Sequence, residues 1–158
     1  MDFEQVMQQE NVSFEGIEAP YFLLGLLSAF DNRFQAAADK LIGAMSWKQF
    51  FTVICIHMCR EAPGIKELAG ILGTSHQNTK QILLKLEKKG FVRLETDEKD
   101  RRKQRVQLTE SCRTFCEKND EIGIKVIQQM FSGIAPEDLQ ATIRTIMQME
   151  SNLKGLGE

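Results

Sequence analysis

The chain has 158 residues, 42% of them apolar and 27% charged, with a formal net charge of −2 and a pI near 5.8. That is the composition of one globular domain with a modest core. The acidic pI counts against a non-specific, charge-only coater of nucleic acid, and no run approaches the 18 consecutive apolar residues of a membrane span.

The start, Met1-Asp-Phe-Glu, is acidic and lacks a signal-peptide pattern, so a cytoplasmic, reducing location is expected and the four cysteines should be thiols. Residues 1–18 are acidic and Gln-rich and read as partly helical or frayed. A stronger helix is expected over 19–43, where Phe22, Leu23, Leu26, Leu27, Phe30 and Phe34 recur at helical spacing. Ser46-Trp-Lys-Gln49 has the form of a capping box and opens a second helix carrying Phe50, Val53, Ile54, His57 and Met58. Pro63-Gly64 ends it.

Residues 65–109 organise the rest of the chain. They read as helix, tight turn, helix, strand, charged loop and strand. Gly73 suits the turn after the first helix because a positive φ costs glycine little. Thr74 or Ser75 can cap the next helix, and Thr74 with Gln77 has capping-box spacing. Gly90 stands where that helix should stop, after the basic pair Lys88-Lys89. Two short helices joined by a glycine turn form a helix-turn-helix, whose second helix enters the DNA major groove by its N-terminal residues. Here those residues are Ser75, His76, Gln77, Asn78, Lys80 and Gln81. Asn and Gln can grip adenine bidentately, while Lys favours guanine or phosphate. Ile82, Leu83 and Leu86 fall with Thr79 on the opposite, core-directed face. Charge follows the same division. Residues 75–105 hold ten Lys or Arg against five acids, a balance of +5, whereas residues 1–34 hold six acids against Arg33, a balance of −5.

Two further helices are expected, over 109–131 with Ile122, Val126 and Met130 on one face, and over 136–153 with Leu139, Ile143, Ile146, Met147 and Leu153. Long amphipathic helices at both ends of a small chain exceed the core they can cover. A self-complementary C2 homodimer would bury the excess. Its two recognition helices would meet successive turns of DNA about 34 Å apart, which implies a pseudo-palindromic operator.

The segments Glu67-Leu-Ala69, Leu83-x-x-Leu86-Glu-Lys-Lys-Gly90, Asp100-Arg101-Arg102 and Val106-x-Leu108-Thr109 resemble the MarR family of winged-helix transcription factors. The resemblance is specific over residues 49–113 and architectural outside them. It implies a mainly α fold with a small β-hairpin wing: a winged helix-turn-helix DNA-binding lobe over 46–109, with residues 1–45 and 110–158 forming a dimerisation layer. In the family's Asp-x-Arg pattern the arginine goes toward the minor groove, a role that falls here to Arg102, with Asp100 holding the loop. Arg101 and Lys103 become adjacent phosphate contacts. Lys85, Lys88 and Lys89 read as a general basic fringe. Leu84 departs from the polar residue usual at its position; it either packs on the wing or reshapes the groove contact.

Relatives often bind small aromatic or anionic effectors. Trp47 and the phenylalanines of the first long helix are candidates to line such a pocket, although plain core is the better reading for most of them. Arg33, Arg60 and Arg113 are equal candidates to anchor an anion. Cys55/Cys59 and Cys112/Cys116 are two i,i+4 pairs, whose positions on one helix do not suit an internal bridge. They read as small buried hydrophobes, with thiol-based redox sensing as the alternative. No zinc spacing, phosphate loop or nucleophile motif is present, so no metal, cofactor or enzyme is expected. The resulting expectation is a dimeric regulator of transcription, a repressor released by an effector. The alternative from a different class is a winged-helix protein-interaction module.

Overall fold

The structure, a computed structural model, describes residues 15–97 and 100–157. The helical or frayed start expected for residues 1–18 lies outside them, except for a turn at Glu15–Gly16. The described elements are α1 (Ala19–Ile42), α2 (Trp47–Met58), α3 (Ile65–Leu72), α4 (His76–Lys88), β1 (Val92–Thr96), β2 (Gln104–Leu108), α5 (Glu110–Met130), α6 (Pro136–Lys154) and a final 3₁₀ turn, Gly155–Gly157. The fold is mainly α with a two-stranded hairpin, and the helices expected among the described residues are found, although α2 stops at Met58, short of the Pro63-Gly64 pair expected to end it.

Local chemistry sets those bounds. Pro20 lies in the first turn of α1, where its missing N–H is not needed. The Ser46–Gln49 box forms: Ser46 Oγ accepts from the Gln49 N–H at 3.3 Å, and Gln49 Oε1 accepts from the Ser46 N–H at 3.2 Å. Between α3 and α4, Gly73 takes φ 61° and ψ 32°, the left-handed conformation the turn requires. Ser75, not Thr74, caps α4, its Oγ accepting from the Asn78 N–H at 3.2 Å. Thr74 instead accepts from Asn78 Nδ2 at 3.4 Å, so the Thr74–Gln77 box is not used.

β1 and β2 pair antiparallel in the register Val92 with Leu108, Leu94 with Val106 and Thr96 with Gln104. A third rung extends the wing. Gly64 bridges Arg105, and the Val106 N–H donates to the Pro63 carbonyl at 3.0 Å. Thr109 joins three elements. Its N–H donates to the Phe91 carbonyl at 3.1 Å, its hydroxyl donates to the Gly90 carbonyl at 2.6 Å, and the same hydroxyl accepts from the Cys112 N–H at 3.2 Å. Leu68, Leu83, Leu86, Val106 and Cys112 are fully buried, with Met45 and Val53 nearly so. Each such large side chain contributes about 1.5–3 kcal/mol.

The chain divides into two compact units, one ending at Arg113 and the other beginning at Thr114. The helix-turn-helix and wing lie entirely in the first. In the second, α6 opens on Pro136, Glu137 and Asp138 and closes on Lys154, signs that match the helix dipole. It buries none of its residues: Leu139, Ile143, Ile146, Met147 and Leu153 are 36–65% exposed. No single described helix is long and apolar enough to cross a membrane.

Candidate nucleic-acid interface

Helix α4 is two-faced. Thr79, Leu83 and Leu86 are buried, Ile82 is half-buried, and Ser75, His76, Gln77, Asn78, Lys80 and Gln81 are exposed. Thr79 tolerates burial because its hydroxyl donates to the Ser75 carbonyl at 3.1 Å. Two of the polar residues are partly committed to the helix itself. Ser75 Oγ is the cap, and the Asn78 amide leans on Thr74. His76, Gln77, Lys80 and Gln81 are therefore the side chains with the most freedom to meet another molecule. Leu84 is 41% exposed, in line with these polar neighbours rather than with the core.

At the wing tip, Asp100 organises the loop. Its Oδ1 accepts from the Arg102 N–H at 3.1 Å and from Arg102 Nε at 3.2 Å, while Oδ2 lies 3.5 Å from Lys103 Nζ. The hydrogen bonds from Arg102, first from its side chain and then from its backbone, hold the Asp100 carboxyl below the usual carboxylate range, and Lys103 adds to this. Arg102 nevertheless stays 92% exposed, so the guanidinium edge not facing Asp100 is open to a partner. Arg101 and Lys103 are exposed beside it.

Three residues that support this surface are not legible as such in the sequence. Asp97 is buried at the end of the hairpin, where its Oδ2 pairs with Arg105 Nε and its Oδ1 accepts from the Asp100 N–H at 2.8 Å. Arg105 also reaches back to the Ala62 carbonyl at 3.1 Å, and the hydrogen bond to Asp97 pushes its already high pKa further up. Lys89 corrects its reading as part of a basic fringe. Its Nζ donates to the Ala44 carbonyl and to Gln49 Oε1, each at 2.9 Å.

Residues 45–103, which span the helix-turn-helix and all but the last strand of the wing, match the family model described as the MarR family. Over this stretch the chain is similar to the MarR family. This is a family of transcription regulators, not of enzymes. Solved MarR-family structures share the fold over most of both chains. A MarR transcriptional regulator from Methanosarcina mazei Go1 is 25% identical, with 85% of this chain and 98% of that one covered at a TM-score of 0.71. The S. aureus MepR–DNA complex is 19% identical, with coverage of 81% and 95% at a TM-score of 0.74. Bordetella bronchiseptica BpsR, whose DNA binding is regulated by 6-hydroxynicotinic acid, is 19% identical, with coverage of 81% and 98% at a TM-score of 0.69.

Two other features of the fold involve the residues that the sequence offered for an effector site. Phe34 meets Trp47 edge-on with ring centroids 4.6 Å apart, Phe30 stacks on Phe34 at 5.9 Å, and Phe51 stacks on Trp47 at 6.0 Å. Phe30 and Phe51 are partly exposed, so the cluster is a surface-reaching aromatic seam rather than closed core. Separately, Arg60 and Arg113 line one open cleft of about 330 Å³ with His57, Cys59 and Gln107; Arg33 is not part of it. The four cysteines are thiols, Cys55 and Cys112 buried and Cys59 and Cys116 partly so. Cys59 Sγ donates to the Cys55 carbonyl at 3.2 Å. Burial pushes both the Cys55 and Cys59 thiols up, away from the reactive thiolate. No cluster that could hold a metal ion occurs among the described residues.

Proposed function

We propose that this protein is a homodimeric, sequence-specific DNA-binding regulator of the cytoplasm, a repressor that a small aromatic or anionic effector releases from a pseudo-palindromic operator. One observation carries the DNA reading: α4 buries Thr79, Leu83 and Leu86 completely while its first two turns hold His76, Gln77, Lys80 and Gln81 exposed. A helix locked by one face and polar on the other is suited to base edges. Arg101, Arg102 and Lys103 supply a second cationic element at the wing, where arginine favours the concentrated negative potential of a narrow minor groove. Asp100 serves as loop support, since a carboxylate is repelled by phosphate. The DNA complex of MepR and the ligand-regulated BpsR support the same reading by fold.

The dimer reading rests on the apolar stripe of α6 and on Ile122, Ile124 and Ile127 of α5, all exposed in the single chain. In this assignment residues 46–109 bind DNA, and residues 1–45 and 110–158 pair the subunits. The aromatic seam around Trp47 and the Arg60–Arg113 cleft are the two candidate effector sites. The raised Cys55 and Cys59 thiols weigh against sensing through those cysteines.

The deciding experiment is selection of bound duplexes from random DNA by the purified protein, followed by salt titration on the selected site. Binding should yield a two-fold symmetric consensus. Log affinity should fall with log salt at a slope set by on the order of 6–10 phosphate contacts per dimer. No enriched sequence and a flat salt response would instead identify a protein-interaction module.

A further inference from the structure

The C-terminal residue of the recognition helix is tied to a distant part of the lobe. Lys89, the residue capping the end of α4, crosses 45 positions of sequence to reach Ala44 and 40 to reach Gln49. Ala44 lies in the connection between α1 and α2. Gln49 is the buried partner of Ser46 in the box that starts α2, so one oxygen, Gln49 Oε1, accepts from both the Ser46 N–H and the Lys89 ammonium. An ammonium has three donors and no acceptor, and two of the three are spent here. A lysine so committed is poorly placed to neutralise phosphate, although Lys85 and Lys88, exposed on the same helix, remain open to it.

We infer that Lys89 is a positioning residue for DNA binding, fixing the tilt of α4 on the α1–α2 corner through Gln49 rather than touching the duplex. The inference rests on the DNA-binding reading. Mechanistically, only protein with α4 at the right tilt is competent, and apparent affinity scales with that competent fraction. Losing the tie spreads α4 over more orientations and lowers the fraction without removing any phosphate contact.

The test uses the duplex selected by the wild-type chain, at a temperature where circular dichroism shows every variant fully folded. Lys89→Met should weaken binding roughly 3- to 10-fold, in the lower part of the range of a coupled neighbouring pair, with the salt slope unchanged. Gln49→Met should give a similar loss, the double variant should lose no more than either single one, and Gln49→Glu, which keeps the acceptor, should bind as wild type does. Undiminished affinity of Lys89→Met, additive losses in the double variant, or a salt slope shallower by about one per lysine removed would each overturn the inference while leaving the regulator reading intact. A wild-type chain that selects no duplex would overturn both.

Discussion

The lobe and α6 are both amphipathic, yet they settle their apolar faces in opposite ways. Every buried apolar residue described lies between Ala38 and Cys112, whereas α6 buries nothing within its own chain. The lobe closes its core with α3, α4 and the hairpin, and a lysine, an arginine and an aspartate then lash that core to its edges. The stripe from Leu139 to Leu153 is as regular as that of α4, but it has no such closure. A periodic face therefore states only that something must cover it. In the lobe the cover comes from the same chain, and for α6 we assign it to a second copy.

That contrast is broken most severely by Ile143→Asp. In a symmetric pair the change is felt twice, each buried isoleucine being worth about 1.5–3 kcal/mol, so sedimentation should show the dimer dissociating at concentrations at least 100-fold higher than for wild type. The near-ultraviolet signal of the single Trp47 should stay native. A dimer of unchanged affinity would remove α6 from the interface. Leu83→Ala probes the opposite region. It opens a cavity in the closed core and should cost about 2–5 kcal/mol in denaturant unfolding; a loss below 1 kcal/mol would mean that the lobe's core is not carried by α4.

Much of this contrast could be read before any coordinates. Ser46 and Gln49 announced the start of α2 because the capping box is local, and Gly73 and Gly90 marked the turn and the end of α4 because each adopts a positive φ, 61° and 77°, that few other residues accept. The ties escaped for the opposite reason. Lys89 to Gln49 spans forty positions and Arg105 to Ala62 forty-three, and nothing in the neighbourhood of either residue indicates which way a long side chain will turn. Gly64, pairing alone with Arg105, is too short a strand to show a period. Three candidate anion anchors stood level in the sequence, and only folding puts Arg60 and Arg113 on one cleft without Arg33.

Smaller effects sharpen the picture at the surface. Arg102→Ala should reduce affinity for the selected duplex by about 10- to 100-fold, as loss of a groove-reading side chain costs about 1–3 kcal/mol, with melting and dimerisation unchanged. Equal affinity in a filter-binding assay would move recognition away from the wing. The mildest effect is one of acid. Because the folded Asp100 carboxyl titrates below its ordinary value, its hold on Arg102 is intact above that ordinary value and fades only as pH falls through the lower, folded one. The Arg102 amide resonance should accordingly shift in acid below about pH 4, and the shift should vanish in Asp100→Asn. A titration centred above that range would contradict the loop geometry.

Thr109 makes the exit of the wing and the end of α4 a single joint, since one hydroxyl holds the Gly90 carbonyl on one side and the first turn of α5 on the other. The stem of α5 and the residue that follows α4 therefore share one side chain, a link that does not pass through the hairpin tip. If α4 reads DNA as proposed, a substitution at Thr109 would loosen that helix from α5 without touching either cationic element.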